Sequence, residues 1–236
     1  MNQRKLERNN FLKLSDRLYG IVNPDSYIID HKNKFIFLMV AKNASWTIRK
    51  AILDAEPEAE LHLLGYYNII DKARIDGYKS LSVIREPVGR MISGYRQIIK
   101  DASHKGSCLT KLVKEHSQHH KNNFLRFIKF LEIEKHPWDR HIGIQVDILT
   151  RDDKKTIETD FILDANANLN EDFKLICKKL GLPYVIEQNV NVAHSDGSKK
   201  MEHSFFANIL DEDKEIMDVV KMIYCDDLIL YERYKK

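Results

Sequence analysis

Residues 35–47 read Phe35-Ile-Phe-Leu-Met-Val-Ala41-Lys42-Asn43-Ala44-Ser45-Trp46-Thr47, an apolar run that ends on one cation and two hydroxyls. A run from Phe35 to Val40 with no polar alternation has no face to show to water. The pattern predicts a central strand covered on both sides, as in a parallel α/β sheet. Upstream, Tyr27-Ile-Ile and the polar Asp30-His-Lys-Asn-Lys34 read as a short strand and a turn leading into it. Downstream, good helix formers over 45–53 predict a helix that Asp54-Ala-Glu-Pro57 ends.

The same unit recurs. Leu81-Ser-Val-Ile84 reads as a buried strand, and Pro87 in Arg85-Glu-Pro87 opens a helix through Arg90, Tyr95 and Ile99. Two strand–loop–helix units in succession imply a parallel sheet with crossover helices. Further expectations are helices at 2–18, 109–113 and 124–133, a core strand at 159–163, and a helix at 171–180 stopped by Gly181-Leu-Pro183. An amphipathic helix at 211–224 closes the series. No linker-like stretch divides the chain, so 1–236 is expected to be one α/β domain, with a helical extension at 1–26 and a helical insertion at 103–145.

Composition narrows the class. With 43% hydrophobic and 31% charged residues, 9 Gly and 5 Pro, the chain is neither disordered nor collagen-like. The longest apolar stretch, 35–41, is far short of the roughly 20 residues of a membrane span. The basic N-terminus has no apolar run after it and does not read as a secretory signal. A net charge of +3 is too small to point to a nucleic-acid partner. That sum conceals an excess of basic residues over 79–105 and of acidic ones over 211–236. Cys108, Cys177 and Cys225 are odd in number and scattered, which fits ordinary thiols in a reducing cytoplasm.

Ligands of α/β sheets bind at the carboxyl ends of strands, where a loop that opens a helix offers free N–H groups to an anion. Ala41-Lys-Asn-Ala-Ser-Trp-Thr47 is such a loop, with a cation, two hydroxyls and small residues. It lacks GxxxxGK[ST], so nucleoside-triphosphate hydrolysis is not indicated. The plain alternative is a solvated connection with Ser45 as an ordinary N-cap. The second loop puts Arg85 at its strand's end and Ser93 two turns into the next helix, an arginine and a hydroxyl suited to a phosphate. Two loops of this kind describe two anionic groups held at one sheet edge.

Residues 40–47 resemble the 5′-phosphosulfate loop of sulfotransferases, and Val83-Ile-Arg-Glu-Pro-Val-Gly-Arg-Met-Ile-Ser-Gly-Tyr95 resembles their 3′-phosphate loop. Arg140-His-Ile-Gly-Ile-Gln145 is similar to the His-x-x-x-Gln element of the carbohydrate members. Asp160-Phe-Ile-Leu, Asn168-Leu-Asn-Glu-Asp172 and Tyr224-Cys-Asp-Asp-Leu-Ile-Leu-Tyr231 resemble the later strand, the next helix start and the Tyr-x-x-Asp closing helix. The resemblance covers about 34–231. It implies a P-loop NTPase-like three-layer α/β/α fold and sulfuryl transfer from 3′-phosphoadenosine 5′-phosphosulfate (PAPS) to a carbohydrate hydroxyl, with no metal and with a homodimer left open.

By the same resemblance Lys42 neutralises the leaving oxygen, the loop Lys42, Asn43, Ala44, Ser45, Trp46 and Thr47 holds the 5′-phosphate, and Arg85 and Ser93 hold the 3′-phosphate. The chain departs from the family in having Ala41 where Pro is usual and Trp46 where a small residue is common. Those departures favour the alternative of a binding protein without catalysis; a P-loop-like kinase is the third reading. For the base, His62 in Glu60-Leu-His62 comes first, then His141, with Glu60 as a carboxylate alternative. His116, His119 and His120 read as a solvated helix end rather than a metal site. His194 and the segment 195–200 read as a lid or a surface turn.

Overall fold

The computed structural model describes residues 26–62, 76–104, 120–134, 141–149, 159–187 and 203–235. The expected helices at 2–18 and 109–113, Cys108, His116, His119, His194, the segment 195–200 and much of the 103–145 insertion lie outside those residues. Five strands, β1 (Ser26–Asp30), β2 (Phe35–Met39), β3 (Glu60–His62), β4 (Lys79–Ile84) and β5 (Phe161–Asp164), form one sheet in the order β3-β1-β2-β4-β5. The α-helices are α1 (Ser45–Ala55), α2 (Pro87–His104), α3 (His120–Glu134), α4 (Gln145–Leu149), α5 (Leu169–Leu180), α6 (His203–Glu212), α7 (Lys214–Ile223) and α8 (Cys225–Tyr234).

β2 is central, as its composition requires. Phe35, Phe37 and Met39 pack with Ile48, Ala51 and Ile52 of α1 and Phe173 and Cys177 of α5. Ile36 and Leu38, with Val40 just beyond the strand, pack on the other face with Val146, Ile148 and Leu149 of α4 and Leu230 of α8. A strand buried on both sides stays apolar at every position, and burying each of these side chains stabilises the fold by about 1.5–3 kcal/mol. A third cluster joins α2, α3, α6 and α7 around Tyr95, Phe124 and Phe206, whose rings lie 4.9–5.4 Å apart.

The sheet is mostly, not wholly, parallel. β2, β4 and β5 run parallel, but β1 pairs antiparallel with both β2 and β3. The cause is the short connection 31–34, where Asp30 accepts a hydrogen bond from the Asn33 N–H at 3.0 Å and Lys34 takes a left-handed φ of 50°. Parallel neighbours need a crossover of a dozen residues or so, which four cannot supply. The helix expected over 211–224 is also broken. Asp213 adopts an extended conformation and its carboxylate accepts from the Ile216 N–H, capping α7 and ending α6 before it. β3 and α4 had no clear periodic signal because each is too short to show one.

α5 ends where Gly181 predicts. Its φ of 67° is the left-handed cap conformation, and the Leu182 N–H returns to the Cys177 carbonyl at 2.8 Å. The chain then brings Tyr184 back to the sheet, where its hydroxyl donates to Asp30 at 2.5 Å. Burial would raise the Asp30 pKa, but the bonds from Tyr184 and Asn33 outweigh it and the net shift is downward. Burial pushes the Cys177 thiol up to about 12, so it packs as an inert hydrophobe. At the amino end of the sheet, Ser80 and Asp160 exchange bonds of 2.7–3.0 Å that pin β4 to β5.

Candidate active site

β2 and β4 are neighbours and parallel, so the loops that follow them emerge side by side at the carboxyl edge. In the first loop Lys42 and Ala44 take left-handed φ values of 70° and 54°. Such conformations cost a non-glycine residue about 1 kcal/mol or more and persist only where surroundings impose them. Ala44, not Ser45, occupies the N-cap position of α1, and no side chain caps the helix, so the expected Ser45 cap is not formed. Ser45 is instead the first helical residue, and no acidic residue stands in the first turn. The result is an uncapped helix start whose dipole and N–H groups favour an anion.

Lys42 is half-buried, and its Nζ reaches Gln97 Oε1 of α2 at 3.4 Å. Its carbonyl accepts from Arg85 Nη1 at 3.0 Å, so the two loop cations are brought together through one hydrogen bond. Burial lowers the Arg85 pKa, the adjacent Glu86 opposing that shift; the guanidinium nonetheless remains cationic. Glu86 itself is engaged with the N–H groups of Val88 and Gly89 at 2.9 and 2.6 Å, capping α2. Ser93 is half-buried two turns further along α2. Thr47 is buried, whereas Trp46 is 56% exposed with the Arg49 guanidinium 5.0 Å above its ring.

Asn43 departs from the expected phosphate contact. Its side chain is fully buried, and Nδ2 donates to Val83 O at 2.7 Å and to Gln145 Oε1 at 2.6 Å. It turns inward, away from any ligand over the loop. Gln145 also accepts from the Arg85 N–H at 3.0 Å and donates to the Arg85 carbonyl at 2.9 Å. One buried glutamine therefore touches both loops.

Three further residues hold that glutamine. Asp227, fully buried in α8, accepts from the N–H groups of Gln145 and Val146 at 2.9 and 2.8 Å. Tyr224, one helical turn earlier, donates to the Ile142 carbonyl at 2.7 Å. Tyr224 stands at the N-cap position of α8 and Asp227 lies in its first turn, so both side chains grip residues 142–146. Arg90, also fully buried, donates from Nε to the Ala41 carbonyl at 3.0 Å and from Nη1 to that of Gly143. Burial raises the Asp227 pKa to about 6, while the positive charge of Arg90 and the two N–H bonds pull it back.

Gly94 explains the middle of Ser93-Gly94-Tyr95. A Cβ there would overlap the His141 carbonyl and lie 2.6 Å from Ile142 Cγ2, because α2 crosses directly over that segment. Gly94→Ala is expected to lower stability by about 2 kcal/mol and the melting temperature by about 5 °C. An unchanged thermal unfolding midpoint would show that the segment simply moves aside.

The two histidines stand apart. His141 is half-buried in the turn before α4, on the segment that Arg90 fastens to Ala41. His62 closes β3 at the same carboxyl edge but two strands from β2, a separation of about 10 Å at the usual strand spacing. Its ring stacks on Tyr27 at 4.7 Å and its Nε2 lies 2.9 Å from Glu60 Oε2. In the sequence Arg90, Gln145 and Asp227 stand inside motifs with no assigned role, and Gln97 stands outside the motifs. The available signal was polar residues amid apolar ones, as in Ile142-Gly-Ile-Gln-Val-Asp-Ile-Leu149.

No helix among the described residues is long and apolar enough to cross a membrane. Searches of curated proteins and of solved structures returned no match. The family model described as the Sulfotransferase family matches residues 25–235, from the first strand to the end of α8. With nearly all of the chain matched and two cation-bearing loops side by side at the carboxyl edge of a mostly parallel sheet, the chain belongs to the Sulfotransferase family, whose chemistry is sulfuryl transfer.

Proposed function

We propose that the protein transfers a sulfuryl group from PAPS to a hydroxyl of a carbohydrate, working as a cytoplasmic enzyme. The observation that carries this reading is the pairing of Lys42 on an uncapped helix start with a half-buried Arg85 that makes no ion pair among the described residues. Those residues fit a donor with two separate anionic groups. When bound, PAPS supplies the activated sulfuryl group and leaves as 3′,5′-diphosphoadenosine.

The chain's own residues divide the remaining work. Lys42 offers positive charge where the leaving oxygen becomes more negative, an interaction strongest in the transition state. The first-turn N–H groups of α1, with the Ser45 and Thr47 hydroxyls, hold the 5′-phosphate; Ala44 lets the backbone come close, and Asn43 shapes the loop from beneath. Trp46 flanks the loop mouth. Arg85 and Ser93 hold the 3′-phosphate and so separate this donor from ordinary adenine nucleotides. The acceptor proton passes to an imidazole, that of His62 paired with Glu60 or that of His141 beside α2.

Transfer of radiolabelled sulfate from PAPS to a panel of glycans tests the reading, with ATP plus Mg²⁺ as the competitor. Binding of ATP as tight as that of 3′,5′-diphosphoadenosine would refute it, and tight diphosphate binding without transfer to any acceptor would favour the non-catalytic alternative. His62→Asn and His141→Asn divide the two bases, since only the true base removes the acidic limb of the kcat/KM profile when replaced. Arg85→Ala is expected to shrink the preference for 3′,5′-diphosphoadenosine over adenosine 5′-monophosphate by about tenfold or more, measured by calorimetry. An unaltered preference would move the 3′-phosphate site elsewhere.

A further inference from the structure

The side chain of Gln145 belongs to neither loop, yet it bonds to both. It accepts from Asn43 Nδ2 at 2.6 Å in the loop after β2, and it accepts from and donates to the Arg85 backbone at 3.0 and 2.9 Å after β4. Its own backbone is fixed by Asp227 of the neighbouring α8. A glutamine is suited to this place because one amide carries both an acceptor oxygen and a donor nitrogen, and Arg85 presents both an N–H and a carbonyl. The side chain is fully buried, so water does not compete for these bonds.

We infer that Gln145 is a positioning residue that sets the distance between the Lys42 loop and Arg85, and thereby matches the protein to the span between the two anionic groups of its donor. The inference rests on the reading of both loops as donor-binding. Gln145 touches no reacting atom; it acts through Asn43 and the Arg85 backbone. The loops are also linked by bonds from Asn43 Nδ2 to the Val83 carbonyl, from Arg90 Nε to the Ala41 carbonyl and from Arg85 Nη1 to the Lys42 carbonyl; of these the last alone engages Arg85, and it is made by a long side chain that must also turn to a phosphate. The glutamine supplies the rigid connection that lets Arg85 do so.

The test uses the full chain and two variants. Gln145→Met keeps the volume and removes all three bonds. Gln145→Glu keeps the two accepted bonds and loses the donation to the Arg85 carbonyl. Amide hydrogen exchange without ligand is expected to quicken by about tenfold over 41–47 and at 85–86 in Gln145→Met, with no change over 161–180. Kinetically, kcat/KM for PAPS should fall by about tenfold or more in Gln145→Met and by less in Gln145→Glu, while KM for the acceptor moves less than about twofold. A merely structural role would lower the melting temperature and leave the donor and acceptor constants of the folded protein in their wild-type ratio. Wild-type binding of 3′,5′-diphosphoadenosine with unaltered binding and turnover in Gln145→Met overturns the positioning role alone. Wild-type protein that fails to bind the diphosphate overturns the reading of the loops, and the positioning role falls with it.

Discussion

Replacing Lys42 by Met is expected to lower kcat by about two to three orders of magnitude while changing the affinity for PAPS by less than about fivefold. Methionine has nearly the length of the lysine stem and no charge. The left-handed backbone at residue 42 is set by the loop, whose carbonyl is held by Arg85 and whose neighbour Asn43 is held by Gln145. The loop therefore keeps its shape and loses the cation together with its bond to Gln97. A cation that contributes equally to ground state and transition state changes binding and leaves kcat alone; one that meets charge as it develops does the reverse. Single-turnover transfer measured against PAPS concentration gives the donor affinity and the rate of the chemical step together and separates these. A Lys42→Met variant with wild-type kcat would remove the residue from the chemistry.

Arg90→Met is expected to be the most destabilising single change at the site, at about 3 kcal/mol near neutral pH and a fall in melting temperature of about 10 °C. Arg90 is fully buried, and its removal leaves the Ala41 and Gly143 carbonyls without their donor. It also strips Asp227 of the positive charge that opposes its burial. In the wild-type protein the Asp227 pKa stands raised at about 6, above the value near 4 of an unfolded carboxylate. The folded state thus holds that proton longer than the unfolded state does. Stability from this group is complete below about pH 4 and is lost as pH rises through about 6.

Without Arg90 the folded pKa climbs further, and the loss continues into the neutral range. The deficit of Arg90→Met relative to wild type should therefore grow from pH 5 to pH 8. Denaturant titrations across that range measure it. A deficit independent of pH would mean that Asp227 does not sense Arg90, and the loss would then come from the two carbonyls alone.

These residues show where the reading of the chain succeeded and where it stopped. Phe35 to Val40 declared a strand buried on both faces because each side chain alone is too apolar for water. Pro87 and Gly181 marked a helix start and a helix end because their backbone restrictions are local. The two loops stood out because lysine, arginine and hydroxyls at strand ends have a chemistry independent of their partners. Asp213 was harder to read. It lies in the charged run Asp211-Glu-Asp-Lys-Glu215, which suits a helix interior as well as a break, and its extended backbone and capping bond to Ile216 show that the helix is interrupted.

The buried polar hub was legible as residue types and not as contacts. Arg85 and Gln145 are 60 positions apart and Asn43 and Gln145 102, and Arg90 and Asp227 lie on separate helices. Hydrogen bonds depend on direction and on distances of about 3 Å, and periodicity carries neither. From the sequence Asn43 belongs to the phosphate loop and Gln145 to a His-x-x-x-Gln element; in the fold the Asn43 Nδ2 and the Gln145 amide bond to the protein. Sequence alone determined the sheet's centre, the helix boundaries set by Pro87 and Gly181, and the placing of Lys42 and Arg85 at strand ends, since these follow from local backbone preference and side-chain hydrophobicity. Only the tertiary structure decided that β3 pairs with β1, that His62 stands two strands from the Lys42 loop, and that Gln145 joins the loops, because those facts arise from the packing of elements remote in the chain.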